Sequence, residues 1–245
     1  MQLHLSQDPE ADALLSKDPF ALLIGMVLDQ QVPLEWAFAA PLELRRRLGR
    51  ALDPATIAAM DPEALASLFT AKPALHRYPG SMAARVHELA RLVTERYRGR
   101  TAEIWTGATS GRDLFDRIKE LPGFGEQKAK IFVALLGKQL DIRPEGWQAV
   151  SAPFSDRGSA RSVADITDTD SRTRVRAFKA ALKAANKQAQ ADAQEERGAA
   201  TKKAPAKKAP AKKASAKKVA AKKSAARTRT SATKKVAAGG RTASR

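Results

Sequence analysis

The chain has 245 residues, 43% of them hydrophobic, enough for one substantial domain or two small ones sharing a core. It contains no cysteine, which excludes disulfides, thiolate zinc sites and cysteine-ligated iron–sulfur clusters. Of its 44 Lys and Arg residues, 16 lie from Ala199 onward, where there is no Asp or Glu, so the net charge of +18 reduces to +2 over the first 198 residues. No apolar run approaches the roughly 20 residues of a bilayer span, and the N-terminus lacks the basic and apolar regions of a signal peptide; a soluble cytoplasmic protein is expected.

The elements read as helices throughout. Four Asp-Pro pairs, at 8–9, 18–19, 53–54 and 61–62, each set an N-cap acceptor before a proline suited to the first helical position. The segment FALLIGMVLDQQV, residues 20–32, is apolar on all sides until it ends in Asp29-Gln30-Gln31 and reads as a buried helix with a polar end. Gly49 and Gly99 follow Arg-terminated runs, as helix C-termini do. Ser81 and Ser110 are expected to cap two more helices, the second with Asp113 three residues on. No alternating pattern persists long enough for a strand.

A helix ending at Leu121 and one starting near Glu126 are joined only by Pro122-Gly123-Phe124-Gly125, a tight αα-hairpin. Both glycines are expected to take φ > 0 and to leave the backbone bare before the unpaired amides of the next helix, which is the make-up of a phosphate seat. Lys128 and Lys130 would add charge beside it. After Gly137 a loop-rich stretch leads to about Asp170. A last amphipathic helix then shows Val175, Phe178 and Leu182 on one face and fades toward Gly198. The expected organisation is an all-α body over residues 1–190 and a disordered tail over 191–245. From Lys202 to Lys223 that tail carries a lysine pair every five residues, a pattern suited to a polyphosphate and, in composition, similar to the tails of linker histones and some bacterial nucleoid proteins.

Three segments point further. LPGFGEQKAKI, residues 121–131, resembles the helix-hairpin-helix of the HhH-GPD superfamily of base-excision DNA glycosylases. The Asp29-Gln30-Gln31 end resembles the superfamily's glutamine-bearing patch, and YPGSMAARVHELARLV, residues 78–93, resembles a helix entered through a glycine and a basic position. The resemblance implies a helix-hairpin-helix glycosylase fold bound to double-stranded DNA; without cysteine it carries no iron–sulfur cluster, and a monomer associated with the nucleoid is expected. Gly123, Phe124, Gly125, Gln127 and Lys128 would then meet the DNA backbone, and Gln30 and Gln31 would reach it where a base is flipped out. No metal or cofactor is implied, apart from the monovalent cation that such hairpins often hold on their carbonyls.

Two departures bear on chemistry. Bifunctional relatives carry a lysine where this chain has Gln127, and an amide forms no Schiff base, so strand-cleaving lyase chemistry is not expected. The superfamily's aspartate, which stabilises positive charge on the sugar as the base leaves, is matched by Glu145 at the apparent helix start after Pro144, with Asp141 as a second candidate. Glu145 reads equally well as an acid complementing a helix dipole. Trp147, beside it, is the first candidate for a base pocket; Trp36 is a weaker one and, like Trp105, reads also as core. The function expected is a monofunctional DNA N-glycosylase, the alternative a non-catalytic DNA-binding protein on the same fold.

Overall fold

The computed structural model describes residues 2–202, with side chains to residue 194. Among these residues the regular structure is entirely helical. The tail expected to be disordered lies, from residue 203, outside the described residues.

The first half is built around one buried helix. The chain opens with α1 (Pro9–Lys17), α2 (Pro19–Leu28) and α3 (Leu34–Leu48), followed by α4 (Pro54–Ala59), α5 (Pro62–Thr70) and α6 (Pro79–Tyr97). Every residue of α2 from Phe20 to Leu28 is buried, packed among α1, α3 and α6. The Asp-Pro pairs act as the sequence requires. Asp18 Oδ1 accepts from the amides of Phe20 and Ala21 at 2.9 and 3.1 Å, Asp8 and Asp61 cap their helices in the same way, and Asp53 Oδ2 accepts from the Thr56 amide alone at 2.7 Å. Burial raises the Asp18 carboxyl above its ordinary pKa, opposed by those two amides and by Arg45. Ser81 does not cap α6: the helix begins two residues earlier at Pro79, with Tyr78 as N-cap and no side-chain cap bond. A proline in the first turn has no amide to satisfy, and the Tyr78 amide is taken by His76 Nδ1 at 3.0 Å.

The second half packs α7 (Glu103–Thr106), α8 (Gly111–Lys119), α9 (Glu126–Gln139) and α10 (Trp147–Ser151), with a 3₁₀ turn at Val163–Asp165. Ser110 caps α8 as expected, accepting from the Asp113 amide at 3.1 Å. α8 ends at Lys119, and Leu121 belongs to the turn after it. α8 and α9 run antiparallel, and α10 closes their far end. The Gly111 amide donates to the Glu145 carbonyl at 2.6 Å, and the Trp147 ring lies so close to Gly137 that a Cβ there would stand 2.4 Å from it. Trp105 is core, edge-on to Phe132 at 5.8 Å.

The last helix, α11 (Thr169–Lys202), returns to the first half and continues past the boundary expected at residue 190. Val175 is buried, and the almost fully buried Arg172 donates through Nη2 to the His4 carbonyl at 2.8 Å. From Lys179 to Gln194, Leu182 and every other side chain of α11 is exposed.

The Gly137–Trp147 contact makes a stability prediction. Gly137→Ala should destabilise the protein by about 1–3 kcal/mol through overpacking against a ring that α8 and α9 hold in place. Gly80→Ala, whose Cβ meets nothing within 4 Å, should be neutral or slightly stabilising in the same urea titration.

Candidate nucleic-acid interface

The hairpin between α8 and α9 has the geometry of an anion seat. Gly123 takes φ +83°, a region that strains any residue with a Cβ. Gly125 does not take the expected positive φ: it is the N-cap of α9 at φ −85°, ψ 176°, extended backbone. Its use lies elsewhere, since a Cβ built on Gly125 meets nothing within 4 Å. Among the described residues no contact requires glycine there. α9 has no side-chain cap, and its first ladder bond runs from the Ala129 amide to the Gly125 carbonyl at 2.9 Å. The amides from Gly125 to Lys128 precede that bond and face outward from the positive end of the helix dipole.

The two lysines do not stand beside the seat as the sequence suggests. Lys130 Nζ pairs with Glu126 at 2.9 Å, on its own helix. Lys128 turns inward, where its ammonium donates to the carbonyls of Met26 and Val27 at 2.6 and 3.3 Å, the C-terminal end of α2. Burial pushes its pKa down to about 8; Asp29 opposes this and Arg85 adds to it. Phe124 packs into the core, its ring 5.8 Å from the same ammonium.

Where α2 ends, the polar patch divides. Gln30 is pinned: Nε2 donates to the Val27 carbonyl at 2.5 Å, and Oε1 accepts from Arg85 Nη1 at 2.8 Å. Its carbonyl accepts from His76 Nε2 at 2.8 Å, the tautomer required because His76 Nδ1 receives the Tyr78 amide. Gln31 is exposed and sits at φ +56°, a left-handed conformation that costs a non-glycine residue about 1 kcal/mol or more.

Between these parts lies a cavity of about 590 Å³. Met26 lines it from α2 and Asp29 and Gln30 from the turn that follows, Gly123, Gly125, Gln127 and Lys128 from the hairpin, and Phe154 and Phe178 from the later chain. The anion seat and the cavity therefore share an edge. Of the residues expected at the site, Gln30, Gly123, Gly125, Gln127 and Lys128 come together here. Gln31 stands next to them on the surface.

Glu145 and Asp141 do not line this cavity. They follow the C-terminal end of α9, roughly 16 Å along the helix from Lys128. Asp141 pairs with Arg143 at 3.1 Å, and Glu145 is exposed with its carbonyl on the N-terminus of α8. Trp147 lines a separate cavity of about 340 Å³ with Arg143 and Arg157. Trp36 lies on the surface of α3, its Nε1 donating to the Ala74 carbonyl at 3.2 Å. The acid that the cavity does contain is Asp29, which stands in the polar end of α2 and which the sequence pattern does not single out from its glutamine neighbours. Nor does local pattern mark Phe178 and Lys179 for the site, because only the return of α11 brings them to the hairpin.

A family model, the HhH-GPD superfamily base excision DNA repair protein, matches residues 24–228. The chain belongs to the HhH-GPD superfamily. No curated protein and no solved structure matches it. The matched span takes in the glutamine patch, the hairpin and α11, and membership makes this a DNA-binding protein of base-excision repair. No helix among the described residues is long and apolar enough to cross a membrane.

The buried ammonium gives the interface a pH signature. Because the folded pKa of Lys128 lies below its ordinary 10.5, the unfolded chain binds more protons between pH 8 and 10.5. The penalty for burying the charge is full below pH 8 and is relieved as pH rises. Relative to Lys128→Met, the wild-type protein should therefore gain stability across that window in paired denaturation series. A difference that stays flat from pH 8 to 10.5 would show the ammonium to be freely solvated.

Proposed function

We propose that the protein is a monofunctional DNA N-glycosylase: it seats duplex phosphates on the Gly123–Lys128 hairpin, receives an extrahelical base in the adjoining cavity and hydrolyses its glycosidic bond. The observation that carries this is the shared edge between the anion seat and a cavity of about 590 Å³, a volume suited to a nucleobase and its sugar. Gln31, exposed beside the cavity, is proposed to fill the space left by the flipped base, and Gln30 holds the rim. Asp29 is the carboxylate of the cavity wall and is proposed to stabilise positive charge on the sugar as the base departs. Lys128 is engaged by two carbonyls and acts as a donor rather than a nucleophile. If a monovalent cation binds, the hairpin carbonyls are its place.

One observation favours the second reading, a binder without chemistry: Glu145 and Asp141, the acids at the superfamily's catalytic place in the sequence, stand at the other end of α9 from the cavity.

A panel of modified duplexes tests both. Under the proposal one of them loses a base to the wild-type protein. Asp29→Asn then lowers turnover by about 10²-fold or more with affinity retained, while Glu145→Gln and Asp141→Asn keep near-wild-type rates. Loss confined to Glu145→Gln or Asp141→Asn would move the chemistry to the loop after α9. Binding of modified duplex with no base released across the panel would establish the second reading. A borohydride-trapped protein–DNA adduct that disappears in Lys128→Met would overturn the monofunctional assignment.

The hairpin has its own test. Gly125→Ala meets no contact among the described residues, so it should leave thermal stability unchanged and weaken DNA binding about tenfold or more, as a methyl comes between the amides and a phosphate. Unaltered affinity would mean that no ligand approaches that backbone.

A further inference from the structure

We infer that one face of α11, carrying Lys179, Lys183 and Lys187, is a second contact for duplex DNA, a rail for backbone phosphates that begins at the edge of the cavity. The inference rests on the proposal that the hairpin binds DNA, and it concerns a surface outside the hairpin, the glutamine patch and the lysine-rich tail.

The near-neutral balance of the first 198 residues conceals a local excess. From Ser171 to Ala191 there are six Lys or Arg residues and no Asp or Glu. The three lysines are spaced i, i+4, i+8, so they share one face of the helix, and all are exposed. No acid stands three or four residues from any of them, so the helix supplies no internal counter-charge.

Two further cations set the bearing of that face. Arg172 and Arg176 precede Lys179 on the same side, and both are tied to the body. Arg172 Nη2 donates to the His4 carbonyl at 2.8 Å, and Arg176 Nη2 pairs with Glu35 Oε1 at 2.5 Å. With Val175 buried between them, the helix cannot rotate without breaking these ties. The exposed lysines are thus presented in one fixed direction rather than swept around as on a flexible chain.

The occupant follows from position and charge. Lys179 lines the same cavity as Gly123 and Gly125, so a duplex seated on the hairpin has its backbone next to the first lysine. From Lys179 to Lys187 the helix advances roughly 12 Å, which runs beside three to four phosphates of one strand. Cations with no aromatic side chain among them contact phosphate without reading bases, so the rail adds affinity and not lesion preference.

The experiment uses the full chain. The triple variant Lys179→Ala, Lys183→Ala, Lys187→Ala should lower the slope of log K against log salt by about 2–3, close to 0.9 for each phosphate that no longer meets a cation. In the double variant Lys183→Ala, Lys187→Ala, which leaves the cavity lining intact, the ratio of affinities for modified over intact duplex should not change. A third variant restores the triple variant's net charge on the opposite face by adding Ala177→Lys, Ala181→Lys and Ala185→Lys, all at exposed positions. If the rail is positional, the slope stays low in this exchange variant. A wild-type slope in the triple variant, or one recovered in the exchange variant, would overturn the rail while leaving the hairpin intact. Weaker binding to anionic phospholipid vesicles in the triple variant, with DNA binding unchanged, would assign the face to a membrane and overturn it equally. Failure of the wild-type protein to bind duplex would instead overturn the reading beneath it. Helical circular dichroism unchanged in every variant separates these outcomes from misfolding.

Discussion

The ammonium of Lys128, held on the last carbonyls of α2, is the interaction on which the site depends. A wholly buried helix that ends inside the protein leaves carbonyls unsatisfied at the negative end of its dipole. In α2 those of Met26 and Val27 are met by a cation from another helix and by the Gln30 side-chain amide. One side chain therefore answers the capping need of α2, fixes the hairpin against the first half of the molecule and sets a charge in the cavity wall. Desolvation is the cost of that arrangement, visible as a lysine with a pKa of about 8. Geometry at the hairpin and geometry at the glutamine patch are in this way one constraint, although nearly a hundred residues separate them.

Much of this was legible in the sequence because it is local. Asp-Pro pairs specify helix starts through one side chain and one missing amide, and they do so here without exception. The apolar run 20–28 could only be a buried helix, and Gly-x-Gly before an uncapped helix signalled the turn. What local pattern could not supply is direction. Lys128 and Lys130 look equivalent in sequence, yet one faces the interior and the other pairs with Glu126 one turn back. Ser81 has the chemistry of a cap, but Pro79 had already started the helix. Asp29 was visible as part of the polar end, while its place in the cavity wall depends on Lys128 and on α11, which arrives from far along the chain.

The same limit applies to the acids after the hairpin. Spacing in a family pattern assigns a position along the chain, whereas chemistry needs a position in space. Here α9 is followed by a tight return that ties the Glu145 carbonyl to the start of α8 and sets Trp147 on Gly137, so residues 141–147 close the far end of the helical pair. The glycine at 137 exists for that indole. Charge is similarly misread from totals, since a balance near zero over the body is the sum of evenly paired helices and one cationic helix.

The bond from Arg172 to the His4 carbonyl joins residues 168 positions apart and closes the body into a ring. Contacts of such long range form late, since the first 172 residues must be present before the two partners can meet. During synthesis the first ten helices can assemble, hairpin included, while one wall of the cavity is still inside the ribosome. The nascent protein thus holds the hairpin before the cavity beside it is complete. Residues 3–5, which do not line the cavity themselves, become the latch for its late wall, so an alteration there acts on the cavity rather than on the hairpin.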